Sequence, residues 1–189
     1  MRKTQLAFIG IVFVFYWLYS TGVSTDQPAS LQPTIFPALK TLSSPTIDRL
    51  SAWLTHEATK LKRVENPAET AIRLKRKALG LNPTDLEALR RVALDSSAAS
   101  EQRILAVYMI GLSESAAARL QLRLIGQATL TTPTSALGYS DEITVRTQAL
   151  EALLKRLNPE DATHLLNETL KKITDPALVQ RAQYWLKRL

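Results

Sequence analysis

The chain has no cysteine among its 189 residues. Disulfides, thiolate catalysis, iron–sulfur ligation, cysteine-ligated zinc and an N-terminal lipidated cysteine are thereby excluded. Glycine is scarce, with six residues in all, whereas an all-β chain needs glycine-rich turns at short intervals. Nor do the glycines form a G-x-G-x-x-G or Walker pattern. Aromatic residues make up only 6%, so the body must be built on Leu, Ala, Ile and Val, a set suited to packed helices. The two histidines, His56 and His164, have no partner at helical i,i+4 spacing. Each reads as a solvated or hydrogen-bonded side chain and not as a zinc ligand or general base. The expected fold class is all-α.

Long apolar runs are also rare, with one exception. Arg2 and Lys3 are followed by an uncharged run of 22 residues from Thr4 to Thr25, with a strongly apolar centre at Leu6–Tyr19. Gly22-Val23-Ser24 offers the small-x-small pattern of a signal-peptidase site. The run also matches the ~20 residues needed to cross a bilayer, and Tyr16, Trp17 and Tyr19 stand where an interfacial aromatic belt would lie. Residues 1–24 are therefore read as a signal peptide or an N-terminal transmembrane anchor. Under either reading the body lies outside the cytoplasmic membrane, periplasmic or secreted, in the cell envelope. Removal of residues 1–24 would lower the net charge from +7 to +5, compatible with an anionic surface without requiring one.

Residues 25–45 carry four prolines among Ser, Thr and Gln, the composition of a linker. From residue 46 to 189 the pattern is helical, with helices expected at 46–63, 67–79, 84–97, 100–112, 115–126, 141–157, 160–173 and 176–188. In the first, Ile47, Leu50, Leu54 and Leu61 share a face, with Trp53 beside them. Residues 127–140 are expected to be a loop. Three boundaries use one device: Asn66-Pro67-Ala68-Glu69, Asn82-Pro83-Thr84-Asp85 and Asn158-Pro159-Glu160-Asp161. Asn caps the helix, Pro occupies N1, and the acid at N3 faces the positive end of the dipole.

Leu81-Asn82-Pro83-Thr84-Asp85 through Leu89 and Leu157-Asn158-Pro159-Glu160-Asp161 through Leu165 share the pattern L-N-P-x-D-x-x-x-L, 76 residues apart. That is two periods of 38, within the range of stacked helical hairpins. Ala71, Ala78, Pro83, Leu89 and Ala93 resemble the small and closing residues of a tetratricopeptide repeat over 69–93. Downstream, Arg103-Ile104-Leu105-Ala106 with Ile110, and Arg146-Thr147-Gln148-Ala149 with Leu153, resemble the second helix of a HEAT or armadillo repeat. Asp95 and Asp141 lie upstream of them. Leu178-Val179-Gln180-Arg181-Ala182 is similar after Asp175, with its arginine displaced. The resemblance is to the α-solenoid class. It implies a short right-handed stack of antiparallel helix pairs behind an N-terminal hydrophobic helix.

Ser43-Ser44 and Ser113-Glu114-Ser115 lack the His or Lys context of a nucleophile. The glutamates fall mostly in first turns or on charged helix faces, the pattern of solvated surfaces and not of a glycan-cutting cleft. No catalytic residue, cofactor or metal is expected; an enzyme is the third-ranked reading. Lys60, Lys62, Arg63, Arg73, Lys75, Arg76 and Lys77 concentrate positive charge against Glu65 and Glu69. That segment reads either as the wet side of two helices or as a basic patch for anionic lipid, wall polymer or an acidic partner. Trp185, in the stripe Leu178, Ala182, Trp185 and Leu189, is either docked on the last repeat or partly open as a contact residue. The leading expectation is a scaffold that binds an unidentified protein partner. An adaptor working through the basic patch is the rival, the membrane is a partner if the leader is uncleaved, and export disfavours nucleic acid.

Overall fold

The computed structural model describes residues 45–61, 66–130 and 136–189. The leader, most of the linker, Lys62 and Arg63 lie outside the described residues, and so does the expected hydrophobic helix. The described residues hold eight helices and no strand. They run α1 (Pro45–Leu61), α2 (Pro67–Leu79), α3 (Pro83–Leu94), α4 (Ser100–Leu112), α5 (Ala116–Gly126), α6 (Ala136–Leu154), α7 (Pro159–Lys172) and α8 (Pro176–Leu186).

The three Asn-Pro-x-acid segments begin α2, α3 and α7. Asn66, Asn82 and Asn158 accept hydrogen bonds from the backbone N–H of Glu69, Asp85 and Asp161 at 3.2, 2.9 and 2.8 Å. Each thereby satisfies a donor that the first helical turn would otherwise leave unpaired. At α3 the pairing is reciprocal, with the Asn82 N–H donating to the Asp85 carboxylate at 3.3 Å.

Helices pack on their next neighbours within α3/α4, α4/α5, α5/α6 and α7/α8. They also pack on their next-but-one neighbours in α1/α3, α2/α4, α3/α5, α4/α6 and α6/α8. This alternation is compatible with a helical-repeat fold, in which each unit leaves a face for the following one to cover. Helix α4 is central, touching α1, α2, α3, α5 and α6. Its sequence is accordingly apolar nearly all round: Ile104, Leu105, Ala106, Val107, Met109 and Ile110 are all buried. One core cluster runs from Leu50 to Leu165, and a smaller one of Leu166, Ile173, Leu178 and Ala182 lies between α7 and α8. Leu154 of α6 packs against both.

Several boundaries differ from the sequence expectation, α6 ending at Leu154 and not at 157 and α8 at Leu186 and not at 188, and two further differences have a visible cause. Helix α3 stops at Leu94 and not at residue 97, because the Asp95 carboxylate accepts from both the N–H and the hydroxyl of Ser97 and turns the chain. The expected loop at 127–140 is shorter, since α6 already begins at Ala136. The helix includes Gly138, an unfavourable residue by propensity, but Tyr139 ties this first turn to Asp175 with a 2.7 Å hydrogen bond. Tertiary anchoring prevails there over local preference.

Helices α5 and α6 approach closely at Gly126. A Cβ at that position would stand 2.6 Å from Leu150 Cδ2 and 2.7 Å from its Cγ, and Leu150 is fully buried. Gly126→Ala is therefore expected to lower stability by about 1–3 kcal/mol through overpacking, measured by urea unfolding. At an open helix site the same change would raise stability by up to ~1 kcal/mol, and such a gain would contradict the close approach.

Candidate functional site

The repeat-like arginines are structural. Arg103 and Arg146 are both buried, and both donate to the carboxylate of Glu142, itself buried. Each also donates to backbone carbonyls of the preceding chain. Arg103 Nε donates to Ala93 O at 3.0 Å, at the end of α3. Arg146 donates to Ala128 O at 3.0 Å and Thr129 O at 2.8 Å, just beyond α5. Arg156 repeats the device at lower burial, donating to Ser113 O at 2.6 Å and to Gly111 O at the end of α4. Arg103 and Arg156 thus meet carbonyls at helix ends, which lack a partner within the helix and carry the negative end of its dipole, whereas Arg146 meets carbonyls of the segment that follows α5.

The acid that serves both motif arginines is Glu142. Asp141 precedes it by one residue, and Asp95 caps its own turn. Burial pushes the Arg146 guanidinium below its ordinary pKa, and the adjoining Glu142 charge opposes that shift. In the third motif Asp175 caps α8, accepting from the N–H groups of Ala177 and Leu178 at 2.9 and 3.2 Å. Its displaced Arg181 is exposed, 3.9 Å from Glu151 and over the Trp185 ring at 5.8 Å.

The basic segment divides into distinct environments. Lys60 is exposed on α1. Arg73 pairs with Glu57, which is only 3% exposed, and Lys77 lies over the Trp53 ring at 5.7 Å. Both cations therefore face α1. Lys75 and Arg76 are exposed on α2. Trp185 is half-buried against the α7/α8 cluster, whereas the adjacent Tyr184 is exposed and has Arg188 over its ring at 5.2 Å.

A groove absent from the sequence reading opens between α5, α6 and α7. It holds about 360 Å³ and is lined by Leu120, Leu153, Leu157 and Leu165, with Arg119, Arg123, Asp161 and His164 around them. Helix α5 makes it by carrying leucine on both faces. Ala118, Leu122 and Ile125 are buried, while Leu120 and Leu124, four residues apart on the opposite side, are exposed. The alternation Leu120-x-Leu122-x-Leu124 was the available signal, since one buried stripe cannot hold all three. Arg123 is fixed by Glu168, which also accepts from Lys172 at 2.7 Å. Among the described residues no group of three acids or histidines could hold a metal ion, and no helix is long and apolar enough to cross a membrane.

No family model, curated protein or solved structure matches the chain.

Two outcomes follow from these ion pairs. Glu142→Gln leaves two buried guanidinium groups without their counter-charge, so a loss of about 3–5 kcal/mol is expected in urea unfolding. A change under ~1 kcal/mol would show that the bracket does not hold α4 and α6 together. The Glu168 carboxyl is kept below its ordinary pKa by the hydrogen bond from Lys172 and then by Arg123. Its contribution is fully present above the unfolded carboxylate value near about 4.3 and is lost as pH falls through the lower folded value. The acid limb of the stability–pH curve should therefore become shallower in Glu168→Gln, and an unchanged limb would contradict the assignment.

Proposed function

We propose that this chain is an exported or membrane-tethered helical-repeat protein that serves as a protein-binding scaffold in the envelope. Its helices would form a right-handed stack of antiparallel pairs of the α-solenoid kind. The observation that best supports a binding role is the leucine-lined groove between α5, α6 and α7. Leucines on the floor supply apolar area for a partner segment, and Arg119 stands at the edge as a cation with no ion pair among the described residues, while Arg123 is held by Glu168. The exposed Leu120 and Leu124, at 54% and 44%, continue that apolar surface along α5. No reaction is assigned to the chain, and no cofactor.

The leader reading supplies the address: the apolar run at residues 4–25 either anchors the chain or directs its export. A scaffold held beside the membrane needs only modest affinity per contact, because tethering raises the effective concentration of its partner.

The test is affinity capture of the tagged full-length chain from gently solubilised envelopes, with in-cell crosslinking and mass spectrometry. One dominant protein, retained at high salt and crosslinked to α5 or α7, is expected. Leu120→Asp, at an exposed position, should abolish that capture without loss of helical content. Capture that dissolves in high salt and ignores Leu120→Asp would overturn the groove reading.

A further inference from the structure

Helix α2 carries a second amphipathic face, directed away from its own core. At about 3.6 residues per turn, the buried Leu74 and Ala78 lie on one side and pack inward. Arg73 and Lys77 flank that side and are engaged with Glu57 and Trp53 of α1. The opposite side carries Ile72, Lys75, Arg76 and Leu79, with the exposed Glu69 one turn before Ile72. Ile72 is 61% exposed and Leu79 is 66% exposed, the two most open large apolar side chains among the described residues. Lys75 and Arg76 are exposed beside them. Two apolar side chains two turns apart, bracketed by two cations, form the outward face of a helix whose main packing partner is α4.

We propose that this face of α2 docks on the surface of an anionic phospholipid bilayer, with Ile72 and Leu79 entering the headgroup region and Lys75 and Arg76 meeting lipid phosphates. Interfacial helices have this composition, with apolar side chains for the acyl boundary and cations for the headgroups. A second copy of the chain is the competing occupant, and the test below separates it from lipid. The proposal rests on the reading of residues 4–25 as an anchor. Nineteen residues separate Thr25 from Pro45, a span of no more than about 70 Å when fully extended. An anchored chain raises the effective concentration of lipid around the described residues, so weak contacts become sufficient.

The absence of cysteine allows a unique label. The full-length chain with Ala68→Cys, on the exposed outward face of α2, would carry an environment-sensitive fluorophore. It would be mixed with vesicles of phosphatidylcholine alone, or with phosphatidylglycerol added, each containing brominated acyl chains as quencher. A control label at Ala116→Cys reports on the exposed start of α5. Quenching at Ala68→Cys but not at Ala116→Cys, in the anionic vesicles, is expected. Each surface cation contributes about fivefold to partitioning on an anionic membrane, so K75E/R76E, which also adds two repelled charges, should lower the docked-to-free ratio by at least about thirtyfold. Ile72→Ser with Leu79→Ser should also release the label, and because all four side chains are exposed, circular dichroism should show unchanged helicity.

The outcomes separate the two readings. A chain that sediments with both vesicle types while the α2 label stays in water overturns the docking face and leaves the anchor standing. Sedimentation with anionic vesicles alone, with the label quenched, supports the docking face and removes the anchor. No sedimentation with either removes both. Quenching equal in the two lipids and indifferent to K75E/R76E overturns the proposal, as does shielding of the label by crosslinkable self-association.

Discussion

The structure depends on one carboxylate. Glu142 is buried between Arg103 of α4 and its own helix neighbour Arg146, and these three side chains link the ends of α3 and α5 to the two helices that follow them. A lone buried charge would be costly, and a single Arg–Glu pair would leave most guanidinium donors unmatched. Here further donors find backbone carbonyls, at the end of α3 for Arg103 and in the segment after α5 for Arg146. Two requirements of the fold, pairing backbone carbonyls between helices and fixing α6 on α4, are met by the same groups. The geometry is specific in a way that apolar packing is not, because a shift of α6 against α4 would break several directional bonds together.

The open surfaces follow from that arrangement. With α4 enclosed on all sides, the helices around it present their outer faces, and the unusual ones are those that keep apolar residues there. Helix α5 shows Leu120 and Leu124 beside the α5–α6–α7 groove, and α2 shows Ile72 and Leu79 among cations. These faces lie on different helices and differ in chemistry. The first is a concave apolar strip with charge at its edge, suited to a protein segment. The second is a convex helix face with two free cations, suited to an extended anionic surface. On the two proposals made above, the faces act together, each contact strengthening the other by proximity.

Local rules carried much of the fold. The Asn-Pro-x-acid starts at Asn66, Asn82 and Asn158 were legible because a cap is made by residues three apart, and so was the all-helical class, set by composition and period. The similarity of the Arg103 and Arg146 segments was visible too, and both arginines bridge to Glu142 and to preceding helix ends. What the sequence withheld was tertiary. Nothing local says that Glu142 and not Asp141 is their shared acid, or that Tyr139 reaches Asp175 and so extends α6 back to Ala136. The basic segment looked uniform in sequence because charge was counted without direction; helix phase sends Arg73 and Lys77 toward α1 and leaves Lys75 and Arg76 outward. The groove was missed because Leu120 and Leu124 resemble core residues until a neighbour fails to cover them.

The central claim is that the Arg103–Glu142–Arg146 bracket makes α4 and α6 parts of one cooperative unit. Native-state hydrogen exchange of the full chain, followed residue by residue at low denaturant, tests it most directly. Slowest-exchanging amides in α4 and α6 that share one opening free energy, equal to that of global unfolding, are the predicted result. Amides of α6 that open by more than ~2 kcal/mol more easily than those of α4, while α4 stays closed, would contradict it.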